Sequence, residues 1–432
     1  NNTSFDPDLF QLNIPVLSMG RAALLMAECV GILCGGTMLK EQTSQITFLP
    51  CPLFDGLNES DRFFDSIDAL KLPGGYSAIA LTDDGLIPAF ANHETRIYGL
   101  QFYPESNDPE GAQILVNFAQ KICGCTPFWS PQFYIKQEIQ YLKDRIGNGH
   151  AIMAVSGGVD STVCALLAQQ AIGERLRCVF VNTGLLRKGE AESVMDTFHN
   201  LHITPNVIDI RNFIFAALKG VTDPQQKRRI ILEEILATIH REAESIPNVD
   251  FIIEGTIYSD LLQSNDDTLN PDTHLGKYKR LEPFRMLFKE EVRAVGAILG
   301  CPEEFLYQQP FPSCGLASRC SGEVTPERLA MLRKANAIFQ EEILTAHLDK
   351  KLDRYYAVLT NIQGKGLRDG FVTYEYCCVL RAFTYAAPNI SFAKLPYDLL
   401  ERTMQRIITD VPGINHVVYD ITSRPYGDVE WE

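Results

Sequence analysis

Apolar runs at 14–17, 77–81 and 96–102 alternate with helix-periodic stretches at 22–29 and 111–122, a pattern that predicts an α/β layer fold for the first part of the chain. The polar stretch 1–12 leads at once into an interior-looking strand, so the first strands of such a domain are expected to precede this sequence. Turn formers gather in Cys123-Gly-Cys-Thr-Pro-Phe-Trp-Ser-Pro131 and predict a linker. A helix over 133–146 and an Asn148-Gly149 turn then precede an apolar run at 150–155, suited to a buried parallel strand. Further strands at 177–182 and 206–210, each after a helical stretch, predict a doubly wound sheet. Asp223, Pro224 and Gln226 carry the start signals of a helix whose role is either scaffold or lid. Past Glu323 the pattern becomes α+β: a helix over 326–344, strands near 355–360, 372–380 and 416–422, and a helix over 397–409. Three domains are expected, at 1–126, 127–315 and 316–432.

Composition narrows the function classes. The 432 residues carry 46% hydrophobic and 22% charged positions, ordinary for a globular chain, with a formal net charge of −15. That charge repels a phosphate backbone, so no nucleic-acid partner is expected, and a polyanion site must be local or built from backbone N–H groups. No apolar run reaches the ~18 residues of a bilayer span and the start lacks a leader-like pattern, so no membrane partner and a cytoplasmic location are expected. Most of the 12 cysteines sit in apolar segments, as Cys164 and Cys178 do, and read as core residues, without zinc-ligand spacing.

The chemistry-bearing segment is Ser156, Gly157, Gly158, Val159, Asp160, Ser161 and Thr162, between the strand ending at Val155 and a helix. Two glycines let a polyanion approach the backbone, the helix start offers unpaired N–H donors, and three hydroxyls add more. No Gly-Lys-Ser/Thr follows, which argues against a simple γ-phosphate hydrolase. Asp160 beside bound phosphates implies a bridging divalent cation, Mg²⁺.

This heptapeptide resembles the signature of the PP-loop ATP pyrophosphatases, and within them the chain resembles the GMP synthase family. The likeness rests on Phe180-Val-Asn-Thr-Gly-Leu-Leu-Arg-Lys-Gly-Glu190, Gly220-Val-Thr-Asp-Pro-Gln-Gln-Lys-Arg-Arg-Ile-Ile231, Gly255-Thr-Ile-Tyr258, the 281–293 stretch and the ending Val418-Tyr-Asp-Ile-Thr-Ser-Arg-Pro425 with Glu430-Trp-Glu432. Ile14-Pro-Val-Leu17 and Gly99-Leu-Gln-Phe-Tyr-Pro-Glu105 resemble that family's class I glutamine amidotransferase domain. The resemblance implies a glutaminase domain, an ATP pyrophosphatase domain and a C-terminal dimerisation domain, hence a homodimer. It implies adenylation of XMP by ATP, release of pyrophosphate, and displacement of AMP by ammonia. It also implies that Val181, Arg187, Gly255 and Thr256 join the 156–162 segment around ATP, that Gly315, Arg381, Arg424 and Glu430 face the nucleotide substrate, and that Asp160, Ser161 and Arg424 serve catalysis.

Departures from the family are concentrated at two places. The glutaminase elbow reads Val16-Leu-Ser-Met-Gly-Arg-Ala-Ala23, placing Gly20 where a nucleophilic cysteine is needed. Tyr103 replaces the histidine, leaving Glu105 nothing to orient, and Arg62-Phe-Phe-Asp65 replaces a Ser-His-Gly-Asp stretch. Glutamine hydrolysis is therefore expected to be lost. In the synthetase half Asn182 replaces an aspartate, and the basic loop over pyrophosphate becomes the aspartate-bearing 264–275, which His274, Lys277 or Lys279 could partly compensate. An arginine of the substrate loop becomes Gln308, and the C-terminal lysine becomes Arg424. Three readings follow: a synthase running on free ammonia, a paralogue adenylating another carbonyl-bearing substrate (with Cys314 raising sulfur transfer as a variant), or a pseudoenzyme with a binding role.

Overall fold

The computed structural model describes residues 6–57, 59–104, 109–127, 129–263, 274–275, 277–368, 370–386, 389–424 and 426–431. The chain forms two compact units, Asn1–Phe128 and Trp129–Glu432.

The first unit is built on one six-stranded sheet. Its strands are β1 (Val16–Met19), β2 (Leu33–Phe48), β3 (Glu59–Lys71), β4 (Ser77–Thr82), β5 (Ala89–Asn92) and β6 (Ile97–Leu100), in the order β1-β6-β5-β4-β2-β3. Only β1 and β6 run parallel; the other neighbours are antiparallel. The helix Arg21–Cys29 follows β1 directly, and Pro109–Asn117 covers the same core as Leu53, Phe64, Ile67 and Phe102. The β2–β3 hairpin has no counterpart in the sequence reading, because its glycines, threonines and charges break the apolar alternation that marks a half-buried strand.

The second unit carries the expected doubly wound sheet. Strands β7 (His150–Ala154), β8 (Leu176–Asn182), β9 (Asn206–Asp209), β10 (Val249–Ile253), β11 (His274–Leu275) and β12 (Tyr278–Leu281) lie in the order β11-β12-β10-β7-β8-β9. All neighbours are parallel except the β11–β12 edge. Strand order reverses between β7 and β10, so the loops leaving these two strands open a crevice at the carboxyl ends. The helix Val159–Ile172 that follows β7 is apolar on every side, and Val163 to Ala168 are all buried, clasped by Ile135 and Leu142 of Pro131–Ile146 and by Val292 and Val295 of Lys289–Ile298. Such a helix fixes the loop in front of it. Asp223 caps Pro224–Ser245 as its sequence predicts, accepting from Gln226 N–H at 2.7 Å.

Beyond it, β13 (Arg354–Arg368), β14 (Phe371–Ala386), β15 (Asn389–Phe392) and β16 (Ile414–Tyr419) form a second sheet, with helices Pro326–Thr345 and Tyr397–Asp410 packed on it. Its core is continuous with that of the first sheet: Leu185, Ile214 and Ile231 pack in one cluster with Leu316, Phe339, Leu380 and Ile414. Lys227, fully buried, donates to the Cys320 carbonyl at 2.8 Å and pins the connection between them. Among the described residues no helix is long and apolar enough to cross a membrane.

Glu138, on Pro131–Ile146, has its carboxyl pushed up by burial from 4.5 to about 7. The folded chain thus holds this proton more tightly than the unfolded one. Its contribution is fully present below about 4.5 and is lost as pH climbs to about 7. Glu138→Gln is expected to flatten that slope and to add about 2–3 kcal/mol at alkaline pH, read from urea unfolding across the range.

Candidate active site

The turn from β7 into Val159–Ile172 is held by its own side chains. Ser156 Oγ lies 3.0 Å from Ser161 Oγ and accepts from Gly158 N–H at 3.2 Å, while Ser161 Oγ donates to the Gly158 carbonyl at 3.1 Å. Gly157 has φ 79°, and a Cβ there would run into Val194 of the helix Glu190–Asn200. Gly158 caps the helix without a side-chain bond, leaving N–H groups for a ligand. Val159 is core, and Thr162 is buried with an unpartnered Oγ1. From β10, Gly255 comes so close that a Cβ would lie 3.1 Å from the backbone of Asp160 and Ser161. A side chain there would need that backbone to give by a few tenths of an ångström, so glycine suits the approach best.

Both Asp160 carboxylate oxygens accept from Lys289 Nζ, at 2.8 and 2.7 Å. Asp260 stands nearby; burial raises its carboxyl above the ordinary range, the Ile257 N–H works against this, and the Asp160 charge adds to it. Asp160 is thus tied to an ammonium, and a divalent cation held by Asp160 and phosphate oxygens would take over that position. One or two carboxylates with phosphate oxygens suffice for Mg²⁺. Beside Gly255 and Thr256 opens a cleft of about 350 Å³, walled by Ala154, Leu236, Ile239 and Ile252 and edged by His240, Arg280 and Asp260. Val181 packs half-buried on the same apolar cluster.

The remaining candidates divide. Arg187 pairs with Glu190 at 2.9 Å and lies 4.5 Å over the ring of Phe311, which joins the 308–316 loop to the loop after β8. Gly315, at φ 61°, faces the Leu185 carbonyl, 2.5 Å from where its Cβ would be. Gln308 donates to the Gly157 carbonyl at 3.1 Å, and Gln309 accepts from Tyr355 N–H at 3.2 Å, so this loop bridges the β7 turn and β13. Arg381 is 3% exposed, paired with Asp420 at 2.7 Å and donating to the Val429 and Asp428 carbonyls, where it holds the C-terminal segment. Arg424 is half exposed and pairs with Asp428 at 2.7 Å, not with Glu430. Glu430 instead is shared by Arg319 at 3.3 Å and Arg354 at 3.0 Å. Lys289, Asp260, Arg319 and Arg354 were missed by sequence reasoning; Lys289 meets Asp160 across 129 positions, and no local pattern signals such a pair.

In the first unit Gly20 sits between β1 and Arg21–Cys29 at φ 55°, ψ −131°, the strained turn of a nucleophile elbow. Tyr103 fills the space a side chain at 20 would need, and its hydroxyl accepts from Arg21 N–H at 3.3 Å. Arg62 is buried and paired with Glu110 at 3.2 Å, and Phe64 packs edge-on to Phe102. Cys29 is exposed at the far end of the helix; the Cys34 thiol is raised by burial and by Glu28 and Asp68. Glu105 and most of 264–275 lie outside the described residues.

Comparison with known proteins gives the family. A model of the GMP synthase C terminal domain matches residues 341–431, and one of NAD synthase matches 134–242. Curated relatives described as "GMP synthase [glutamine-hydrolyzing]" include one from Symbiobacterium thermophilum at 38% identity, covering 99% of this chain and 86% of the relative, and one from Caldicellulosiruptor saccharolyticus at 40%, covering 99% and 87%. This chain belongs to the GMP synthase family. As a GMP synthase-like protein it is an ATP-dependent ligase that binds a nucleotide substrate, with a PP-loop fold around the β7 turn.

Lys289→Met should leave Asp160 and Asp260 without a cation and lower ATP affinity roughly ten- to a hundredfold when Mg²⁺ is absent, with a smaller loss when it is present. Titration calorimetry with and without the metal checks this; an unchanged affinity in both cases would show that the pair does not face the ligand.

Proposed function

We propose that this chain aminates XMP to GMP with ATP, Mg²⁺ and free ammonia, and that its N-terminal unit no longer hydrolyses glutamine. The observation that carries the reading is that the Tyr103 ring fills the space a side chain at position 20 would need, beside a fully formed β7 turn. A cysteine at 20 supplies the nucleophile of a glutaminase and needs a histidine to take its proton. Here neither is present, and a phenol does not serve as a base near neutral pH.

At the synthetase end, the 156–162 turn would hold the ATP phosphates, Asp160 with Ser161 would act at them, and the apolar cleft beside Gly255 and Thr256 would take the base. The acceptor oxygen attacks the α-phosphorus, pyrophosphate leaves, and ammonia then displaces AMP from the carbon. Arg424, released from Asp428, is placed on the C-terminal segment that Arg381 anchors, where it would close over the acceptor phosphate. Glu430, held by Arg319 and Arg354, would face the same acceptor away from its phosphate.

The reading assigns a glutaminase-derived segment to 1–126, adenylation to 127–315 and dimerisation to 316–432, in the cytoplasm. Exposed Ile362, Leu367, Phe371 and Tyr374 near the β13–β14 tip favour a homodimer, since an apolar hairpin end is costly in water. A second reading, another carbonyl-bearing acceptor, is favoured by Gln308, which spends its amide on the Gly157 carbonyl where a cation would face a phosphate.

Pyrophosphate release with ATP, XMP and ammonium tests the proposal, and Arg424→Ala is expected to weaken the acceptor about ten- to a hundredfold while leaving ATP binding intact. Release with another nucleotide but not XMP would select the second reading. Glutamate release from glutamine should match a heat-killed control. Gly20→Cys alone should remain inactive because Tyr103 blocks the side chain; Gly20→Cys with Tyr103→His is the smallest change able to restore any hydrolysis.

A further inference from the structure

A second basic cavity, of about 390 Å³, opens beyond the loop after β8, lined by Gly184, Arg187, Lys188, Arg211 and Arg333 among others, with Glu192 at its edge. Three separate parts of the chain deliver these cations: the β8 loop, the helix Arg211–Ala217 and the helix Pro326–Thr345. Arg211 and Arg333 converge on Gly184. A Cβ on Gly184 would lie 2.7 Å from Arg211 Cγ, and Arg333 donates to the Gly184 carbonyl and, at 2.8 Å, to that of Leu186.

Charge around the cavity does not close. Arg187 pairs with Glu190 at 2.9 Å and Arg211 with Asp209 at 2.6 Å. Among the described residues, the Lys188 side chain has no ion-pair partner and Arg333 has no carboxylate, only the two carbonyls. Burial, and then the charge of Arg211, pull the Arg333 guanidinium below its ordinary range. Asp209 offsets Arg211, so the charge left without a carboxylate at the cavity is that of Lys188 and of the half-buried Arg333. The helix Glu190–Asn200 begins at the same place, behind Gly189 at φ 70°, but Glu190 and Glu192 stand in its first turn, so the cations and not the helix end carry the attraction.

We propose that this cavity is a second anion site, taking the phosphate or pyrophosphate group of a small molecule, separate from the turn at 156–162. It borders the ATP-binding set at Arg187, while Lys188, Arg211 and Arg333 take no part in the reaction proposed above. Planar guanidiniums and an ammonium lining one open cleft match phosphate oxygens.

Inorganic pyrophosphate, titrated calorimetrically into the full chain at low ionic strength, is the probe. Ser161→Ala should leave one class of pyrophosphate site intact. Lys188→Ala with Arg211→Ala, both at exposed positions and outside the ATP-binding set, should weaken that site at least tenfold while ATP binding is retained. Asp209→Asn, which frees Arg211, should tighten it. Comparing inorganic phosphate with AMP then separates a free anion from a nucleotide as its source. Loss of all pyrophosphate binding in Ser161→Ala, or an unaltered site in the double variant that melts like the parent, would overturn the proposal.

Discussion

The close approach of the Gly255 backbone to that of Asp160 and Ser161 is the constraint on which the synthetase end depends. It joins the ends of β7 and β10, the two strands flanking the reversal in strand order, and a side chain between them would press that backbone back by a few tenths of an ångström. The buried helix behind the turn and Val194 beside Gly157 hold it from two further sides. A loop so enclosed keeps its N–H groups oriented before any ligand arrives, which is what makes it an anion cradle rather than a flexible turn. The 308–316 loop extends the same rigidity outward, since Gln308 touches Gly157 and Gln309 touches the start of β13.

The first unit poses the opposite problem. Its elbow keeps at Gly20 a positive-φ backbone, strained for any residue but glycine, whose usual purpose is to present a nucleophile, yet the ring of Tyr103 occupies the presented space. Glycine at 20 and tyrosine at 103 belong together in physical terms, because the ring fills the space that any side chain at 20 would need. Side-chain packing fills the surroundings: Phe64 and Phe102 meet edge to face, and Arg62 is buried against Glu110.

Much of this was legible from residue order. The Ser156-to-Thr162 turn could be read because its glycines, hydroxyls and flanking apolar runs are contiguous, and the Asp223 cap because its partners lie within one turn. The Lys289–Asp160 pair, the sharing of Glu430 between Arg319 and Arg354, and the burial of Arg381 could not, since each joins residues tens of positions apart through tertiary packing. The β2–β3 hairpin was hidden for a different reason: a long two-stranded arm is specified by cross-strand pairing, not by apolar alternation. The family resemblance named Arg424 and Glu430 together, and the structure gives them separate partners.

The account's central claim is that the amino nitrogen comes from solution and not from glutamine. Incubating the chain with ATP, Mg²⁺ and XMP, with ¹⁵N in the ammonium in one experiment and in the glutamine amide in another, addresses it directly. The account predicts labelled GMP from ¹⁵N-ammonium and none from ¹⁵N-glutamine when the other nitrogen source is withheld. Label carried from the glutamine amide into GMP would contradict it.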